Sequence, residues 1–291
     1  MAFEPPQRLV RALGEGDDWL GQLPGLAQEA VDRSGLEVER VMAPGGRSSL
    51  VLLVRQPDGT PAALKVAPPS ASPELERAAL EHWNGWGAVR LLGAADDALL
   101  LERLQPDVSL RSLPEAKALL EAAGTVRRLW VEPPADHAFE TVAQRTSRQA
   151  VAMREFDDPG AAELVSAALD ARDELAAFTP EEELLHGNFR QGKVLSGDRT
   201  PWLAVGPEPL VGERAYDLAR LVRDRVEDLI ATSAGASAAR RRVNKLADSL
   251  EVDRDRLRGW TLFRAVESGT RAIAAGRLQE GELALEFAGW L

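Results

Sequence analysis

The hydrophobic period of this chain changes near residue 105, and that change constrains the fold more than any other feature. Before it, apolar residues come in short runs: 36–44, 48–56, 61–67, 88–94 and 98–104. Runs of this length, rich in Val and Leu and bounded by Gly, Pro and Asp, predict strands. Asp58-Gly59, between the second and third runs, is a hairpin signal. Helical spacing marks 7–34 and 72–86, the latter with Ser72 as an N-cap and Glu74 and Glu76 in or near its first turns. After residue 105 the pattern predicts helices over 112–130, 139–155, 160–178, 215–233, 236–250, 254–276 and 280–290, interrupted by a short β patch within 184–205. The expected class is α+β. An N-terminal lobe, 1–105, carries an N-terminal helix, an antiparallel sheet and one main helix. A mostly helical C-terminal lobe, 106–291, holds the β patch.

A chain of 291 residues suits one large domain or two lobes sharing a cleft. It has no cysteine, which excludes disulfides, thiol nucleophiles and Cys-based zinc sites. Its histidines, His82, His137 and His186, are far apart and lack metal-motif spacing. The formal net charge of −11 disfavours non-specific nucleic-acid binding, which needs Lys and Arg against phosphate. The run Arg240-Arg241-Arg242 reads as a solvated helix face. No stretch reaches the ~20 apolar residues of a membrane span. The N-terminus lacks a basic region followed by an apolar run. A cytoplasmic setting is expected, with a small molecule, peptide or protein as partner and neither nucleic acid nor membrane.

Two regions have the residues of phosphate chemistry. Lys65 sits inside the apolar run 63–66, where alternation sends it to the face opposite Leu64 and Val66. A charge there needs a partner, and Glu76 in the following helix is the natural one. Gly45, Gly46 and Ser48 form a turn between strands that can bring backbone N–H groups near phosphates. The second region is the loop LLHGNFRQGKVL, 184–195. Its frame is that of a phosphotransferase catalytic loop, but Asn188 and Lys193 stand where such chemistry needs a carboxylate and a metal-binding amide.

The segments 63–69, 87–97, 99–113, 184–225 and 254–260 together resemble the aminoglycoside phosphotransferase superfamily, in particular its streptomycin/hydroxyurea phosphotransferase branch. The resemblance begins near residue 36 and implies a protein-kinase-like bilobal fold. It implies that Lys65 pairs with nucleotide phosphates and Glu76 holds Lys65. The segment 100–104, with Glu102 and Leu104, would contact adenine through its backbone. Members of the family usually show H-G-D-x-H-x-x-N in the loop and an Asp in an I-D-P context further on. Here the base has become Asn188, the second His Arg190, the metal-binding Asn Lys193, and the second metal ligand Gly206. Asp217, supportive in the family, is retained.

An amide cannot accept a proton as a carboxylate does. A Lys and a Gly offer no oxygen ligand to magnesium. The expectation is therefore a pseudokinase with no intact catalytic residue and no metal ligands, acting as a binding or scaffold protein. ATP or another nucleotide would bind without a normal magnesium site. The alternative is an active ATP-dependent phosphotransferase on a hydroxyl of an aminoglycoside, hydroxyurea or a peptide. In that case Asp198, Glu208, Glu213 or Asp217 would supply a displaced carboxylate.

Overall fold

The computed structural model describes residues 3–95 and 98–291. The last two residues of the segment 87–97, Asp96 and Asp97, lie outside them. By its internal contacts the chain divides into two compact units. One takes the chain up to Ser109 together with Leu195–Val205; the other takes Leu110–Val194 and Gly206–Leu291. The sequence division at 105/106 differs from this one. The segment 195–205 follows the first unit because β8 (Val194–Ser196) pairs with β6 (Gln105–Ser109), with Gln105 opposite Ser196, and forms a three-stranded sheet with β9 (Trp202–Ala204).

The N-terminal unit is built on a five-stranded antiparallel sheet in the order β1-β2-β3-β5-β4. Its strands are β1 (Glu37–Val41), β2 (Leu50–Arg55), β3 (Pro61–Val66), β4 (Leu91–Ala95) and β5 (Ala98–Glu102). Leu50, Leu52 and Val54 of β2 and Leu64 and Val66 of β3 point into one core. Leu23 and Ala27 of α2 (Asp18–Arg33) close over it. Each fully buried Leu of this kind contributes about 1.5–3 kcal/mol.

The single helix expected over 7–34 is two. α1 (Gln7–Leu13) stops at Gly14, and α2 restarts where the Asp17 side chain accepts the Leu20 N–H at 3.1 Å. The expected cap of α3 (Pro73–Trp83) is also corrected. Ser72 holds the N-cap position in a left-handed conformation, not the extended one a capping residue uses, and makes no side-chain cap bond.

The C-terminal unit is helical: α4 (Glu115–Val126), α5 (Val142–Arg154), α6 (Ala162–Ala176), α7 (Arg214–Val222), α8 (Val226–Ile230), α9 (Gly235–Leu250), α10 (Arg254–Ala274) and α11 (Leu278–Ala288). Buried Leu257, Trp260, Phe263 and Val266 line α10, which packs against α6, α7 and α11. Arg242 is not a solvated residue of its run. It is buried on α9, donating to the Val222 and Asp224 carbonyls and pairing with Glu115 at 2.5 Å. A two-stranded ladder joins β7 (Glu183–Leu185) to β10 (Leu210–Gly212), with Leu210 opposite Leu185. Among the described residues no helix is long and apolar enough to cross a membrane.

Candidate functional site

In the N-terminal unit, alternation places Lys65 as expected. Its neighbours Leu64 and Val66 are buried in the core, and its own side chain leaves the opposite face of β3, 13% exposed. Glu76, in the first turn of α3, is buried with its Oε2 on the Lys65 ammonium. Its Oε1 has no partner among the described residues. The pair is therefore closed on one side and keeps one free acceptor on the other.

Gly45, Gly46 and Ser48 lie in the β1–β2 connection, with Gly46 and Ser48 exposed and Gly45 at φ +72°. Glu102 ends β5. Its carboxylate accepts the Arg90 N–H at 3.1 Å and pairs with Arg199 at 2.9 Å. Its backbone N–H is taken by the Arg90 carbonyl. Leu104 is buried beside Gly197.

The loop after β7 lies in the C-terminal unit and is held by two aspartates. Asp217, fully buried on α7, accepts the N–H groups of His186 (3.0 Å) and Gly187 (2.9 Å) and the Trp130 indole at 3.4 Å. Burial pushes its carboxyl above the usual range, against the pull of Arg264 and of these donors. Asp224, just past α7, accepts the Gln191 N–H at 2.5 Å. Gln191 in turn accepts from Arg225, whose guanidinium also donates to the carbonyls of Leu110, Arg111 and Leu113. The buried His186 ring accepts the Asn188 N–H at 3.2 Å and meets Phe189 edge-on. His186 is thus a structural residue of the loop.

The β7–β10 register continues past Leu210 and brings the Glu208 backbone across this loop. The Glu208 N–H donates to the His186 carbonyl at 2.9 Å. Gly187 has φ +72°, and a Cβ there would run into the Glu208 carbonyl, so only glycine fits. The same crossing sets the Glu208 carboxylate against Asn188. The Asn188 amide donates to Glu208 Oε1 at 2.6 Å. That donation fixes the orientation of the buried amide and leaves Asn188 Oδ1 with no partner among the described residues.

Lys193 and Gly206 are coupled. Gly206 has φ +60°, and a Cβ added to it would lie 2.6 Å from Lys193 Nζ. The Lys193 ammonium stands 3.5 Å from the Gly206 carbonyl and fills the space a side chain at 206 would take. The resemblance implies magnesium here, but the residues present do not fit it. A cation occupies the ligand space, and among the described residues no three His, Cys, Asp or Glu side chains gather into a metal cluster.

The remaining carboxylates weighed as replacements have other tasks. Glu213 is buried on Arg256 (2.6 Å) and the Trp260 indole (2.6 Å). Asp198 is exposed in the turn between β8 and β9. Glu208 alone reaches Asn188 among the four. Sequence reading weighed Glu208 only as a loop carboxylate, because its contact depends on a strand, β10, too short to show a period. Asp224 carried no signal beyond its place in a charged run.

A family model described as "Aminoglycoside/hydroxyurea antibiotic resistance kinase" matches residues 34–276. Streptomycin 6-kinase of Streptomyces glaucescens is 33% identical over 288 residues, covering 95% of this chain and 90% of the relative. Hydroxyurea phosphotransferase of Kitasatospora aureofaciens is 34% identical over 280 residues, 93% of this chain and 77% of the relative. In structure the chain is similar to aminoglycoside phosphotransferase APH(4)-Ia, with a TM-score of 0.65 at 17% identity over 92% of this chain and 97% of that one. The kinase-like α+β fold expected from the order of elements is thus shared with solved relatives.

Proposed function

Because the chain belongs to the aminoglycoside/hydroxyurea antibiotic resistance kinase family, we propose that it is an ATP-dependent phosphotransferase acting on a hydroxyl of a small molecule. This corrects the expectation of a pseudokinase. Relatives 33% and 34% identical over more than nine-tenths of this chain are named as a streptomycin 6-kinase and a hydroxyurea phosphotransferase. The substitution at 188 removes a carboxylate from one residue, while the fold sets another against it.

The observation that carries the proposal is the 2.6 Å contact between Asn188 and Glu208. The acceptor hydroxyl lies beside Asn188 and donates its one O–H to the Glu208 carboxylate, which the Asn188 amide holds in place. Its oxygen attacks the γ-phosphorus of ATP, the bond from that phosphorus to the bridging oxygen breaks, and ADP leaves with the electron pair. The hydroxyl proton passes to the Glu208 carboxylate. A positioned general base of this kind contributes about 10²–10⁴-fold. Lys65, held by Glu76, pairs with phosphate charge. Lys193 brings a fixed positive charge to the loop, and no step is assigned to a metal. A reducing cytoplasm is the proposed setting, consistent with a chain free of cysteine.

The test is transfer of labelled γ-phosphate to streptomycin, hydroxyurea and other hydroxyl-bearing small molecules. Glu208→Gln is expected to lower kcat by about 10²–10⁴ while ATP binding is kept. Absence of transfer to every acceptor, or full activity in Glu208→Gln, overturns the reading.

A further inference from the structure

Two turns of the N-terminal sheet carry a glycine in the left-handed region, and they are supported differently. Gly59, between β2 and β3, has φ +84°, and a Cβ added there would meet nothing within 4 Å. That hairpin is closed by its own bonds. The Gln56 N–H donates to the Thr60 carbonyl at 2.9 Å, and the Thr60 N–H to the Asp58 carboxylate at 2.8 Å. Gly45, between β1 and β2, has φ +72°, and a Cβ there would lie 2.9 Å from Pro6 Cγ and 3.0 Å from Pro6 Cβ. Across residues 43–48 every residue but Gly45 is exposed. The Pro6 ring therefore covers the glycine of this turn that takes a left-handed backbone.

Pro6 is itself fixed. Residues 3–13, F-E-P-P-Q-R-L-V-R-A-L, put two prolines ahead of a short apolar stripe. Proline sets its own φ and keeps the residue before it extended, so Pro5 and Pro6 have little backbone freedom. Pro6 stands at φ −58°, and its carbonyl accepts the N–H groups of Leu9 (2.9 Å) and Val10 (3.2 Å), which starts α1. Phe3 and Leu9 are buried in the core that Leu50, Leu52 and Val54 enter from β2, with Val10 and Leu13 packed against it. An arm anchored on both sides of Pro6 thus sets one rigid ring on one glycine.

Glycine loses more conformational freedom on being fixed than any other residue. In a turn that closes on a ligand, that loss opposes binding unless the fold has already imposed it. Pro6 imposes it at Gly45. In the phosphotransferase reading, on which this inference rests, the turn closes on phosphate.

We propose that residues 3–13 are a positioning arm of the nucleotide site, with Pro6 holding the 45–48 turn in the shape that receives the phosphates of ATP. Pro6 touches no nucleotide and acts through Gly45. The arm and the nucleotide are therefore coupled. Docking of the arm strengthens ATP binding, and ATP strengthens docking of the arm by the same factor. Adenosine, which brings no phosphate to the turn, is outside the coupling.

The experiment is calorimetric titration of the full chain and of Pro6→Gly with ATP and with adenosine, at fixed ionic strength. Pro6→Gly is expected to raise the Kd for ATP about fivefold or more and to leave that for adenosine unchanged. In a transfer assay the KM for ATP rises, while kcat at saturating ATP stays. A melting curve checks the fold of the variant. A second measurement needs no variant. Hydrogen exchange at the Leu9 and Val10 amides, which donate to the Pro6 carbonyl, reports docking of the arm. ATP is expected to slow it by about the same factor, and adenosine to leave it alone. If Pro6→Gly does not fold, the exchange measurement decides alone.

Unchanged ATP affinity in folded Pro6→Gly, an equal loss for ATP and adenosine, or exchange unaffected by ATP overturns the proposal. A parent chain that binds ATP no more tightly than adenosine overturns it as well. If Pro6→Gly weakens ATP binding but no acceptor is ever phosphorylated, the arm stands and the phosphotransferase reading falls. If an acceptor is phosphorylated with the same KM for ATP in the parent and in Pro6→Gly, the reverse holds.

Discussion

Lys65 in the N-terminal unit and Arg220 in the C-terminal unit are both cations withdrawn from full solvent contact, and the chain treats them in opposite ways. Lys65 has Glu76 on it, with only 13% and 5% of the two side chains exposed. Arg220 has three guanidiniums for company and no carboxylate within 4 Å among the described residues. A paired charge is part of the fold, and its loss leaves the partner stranded in a poor solvent. A clustered, unpaired charge is a cost that the fold carries until something else neutralises it. The difference separates a cation paired with a carboxylate of its own unit from one left among like charges.

The largest effect expected from this contrast is on stability. Glu76→Ala strands Lys65 and should cost about 3–5 kcal/mol, the usual penalty for removing one partner of a buried pair. It should also raise the KM for ATP, because Lys65 is then no longer held in place. Arg220→Ala should leave the melting temperature unchanged or raise it, since it removes like-charge repulsion and no hydrogen bond. Chemical denaturation of both variants checks the pair. Comparable destabilisation by the two substitutions would break the comparison.

Lys193 and Gly206 give the next effect. They form a second case in which a cation's place is set by its surroundings, here by the space beside Gly206. Gly206→Ala places a methyl group 2.6 Å from the present Lys193 ammonium at a residue with φ +60°. It should cost about 1–2 kcal/mol from the backbone, with an added part from displacing Lys193. In the background of Lys193→Ala the added part should vanish, which a double-mutant cycle measures as coupling. Equal costs in both backgrounds would show that the two positions do not interact.

The fold was largely legible because its main signal is periodic. Residues 50–55 form an unbroken apolar run closed by Arg55, residues 61–66 alternate in burial, and residues 254–274 carry Leu257, Trp260, Phe263 and Val266 at helical spacing. β6 and β10 were not legible. The first contains a Pro, the second is three residues long, and neither shows a period. Lys65 and Glu76 could be paired from sequence because one strand and the next helix bring them together locally. Asn188 and Glu208 could not, because twenty residues and a strand register separate them.

The charge around the loop is not legible in the sequence, for a related physical reason. In sequence, Asn188, Arg190, Lys193 and Gly206 read together as departures from a base, a second His and two metal ligands. Set in the structure, the same four positions raise the positive charge around one loop, beside arginines that come from α7 and α10. Charge is a property of the assembled surface, and those two helices contribute to it from thirty to almost eighty residues further along the chain.

The smallest effect tests whether an unpaired charge costs stability even where no ligand is called for. Glu183, on β7 just before the loop, is surrounded mainly by its own kind. Burial pushes its carboxyl up from the ordinary value, followed by the charge of Glu181, with Glu132 adding to it. Arg214 opposes these, but its guanidinium is bound to Glu181 at 2.7 Å. The folded chain therefore holds the Glu183 proton more tightly than the unfolded chain does. Its contribution to stability is most favourable below about pH 4.5 and is lost as the pH rises through the raised folded value. Glu183→Gln mimics the protonated form at every pH. It should raise the melting temperature slightly at pH 7 and leave it unchanged at pH 4, as differential scanning calorimetry at the two pH values would show. A variant less stable than the parent at pH 7 would mean that ionised Glu183 is a stabilising charge, and that cost does not follow from the absence of a partner.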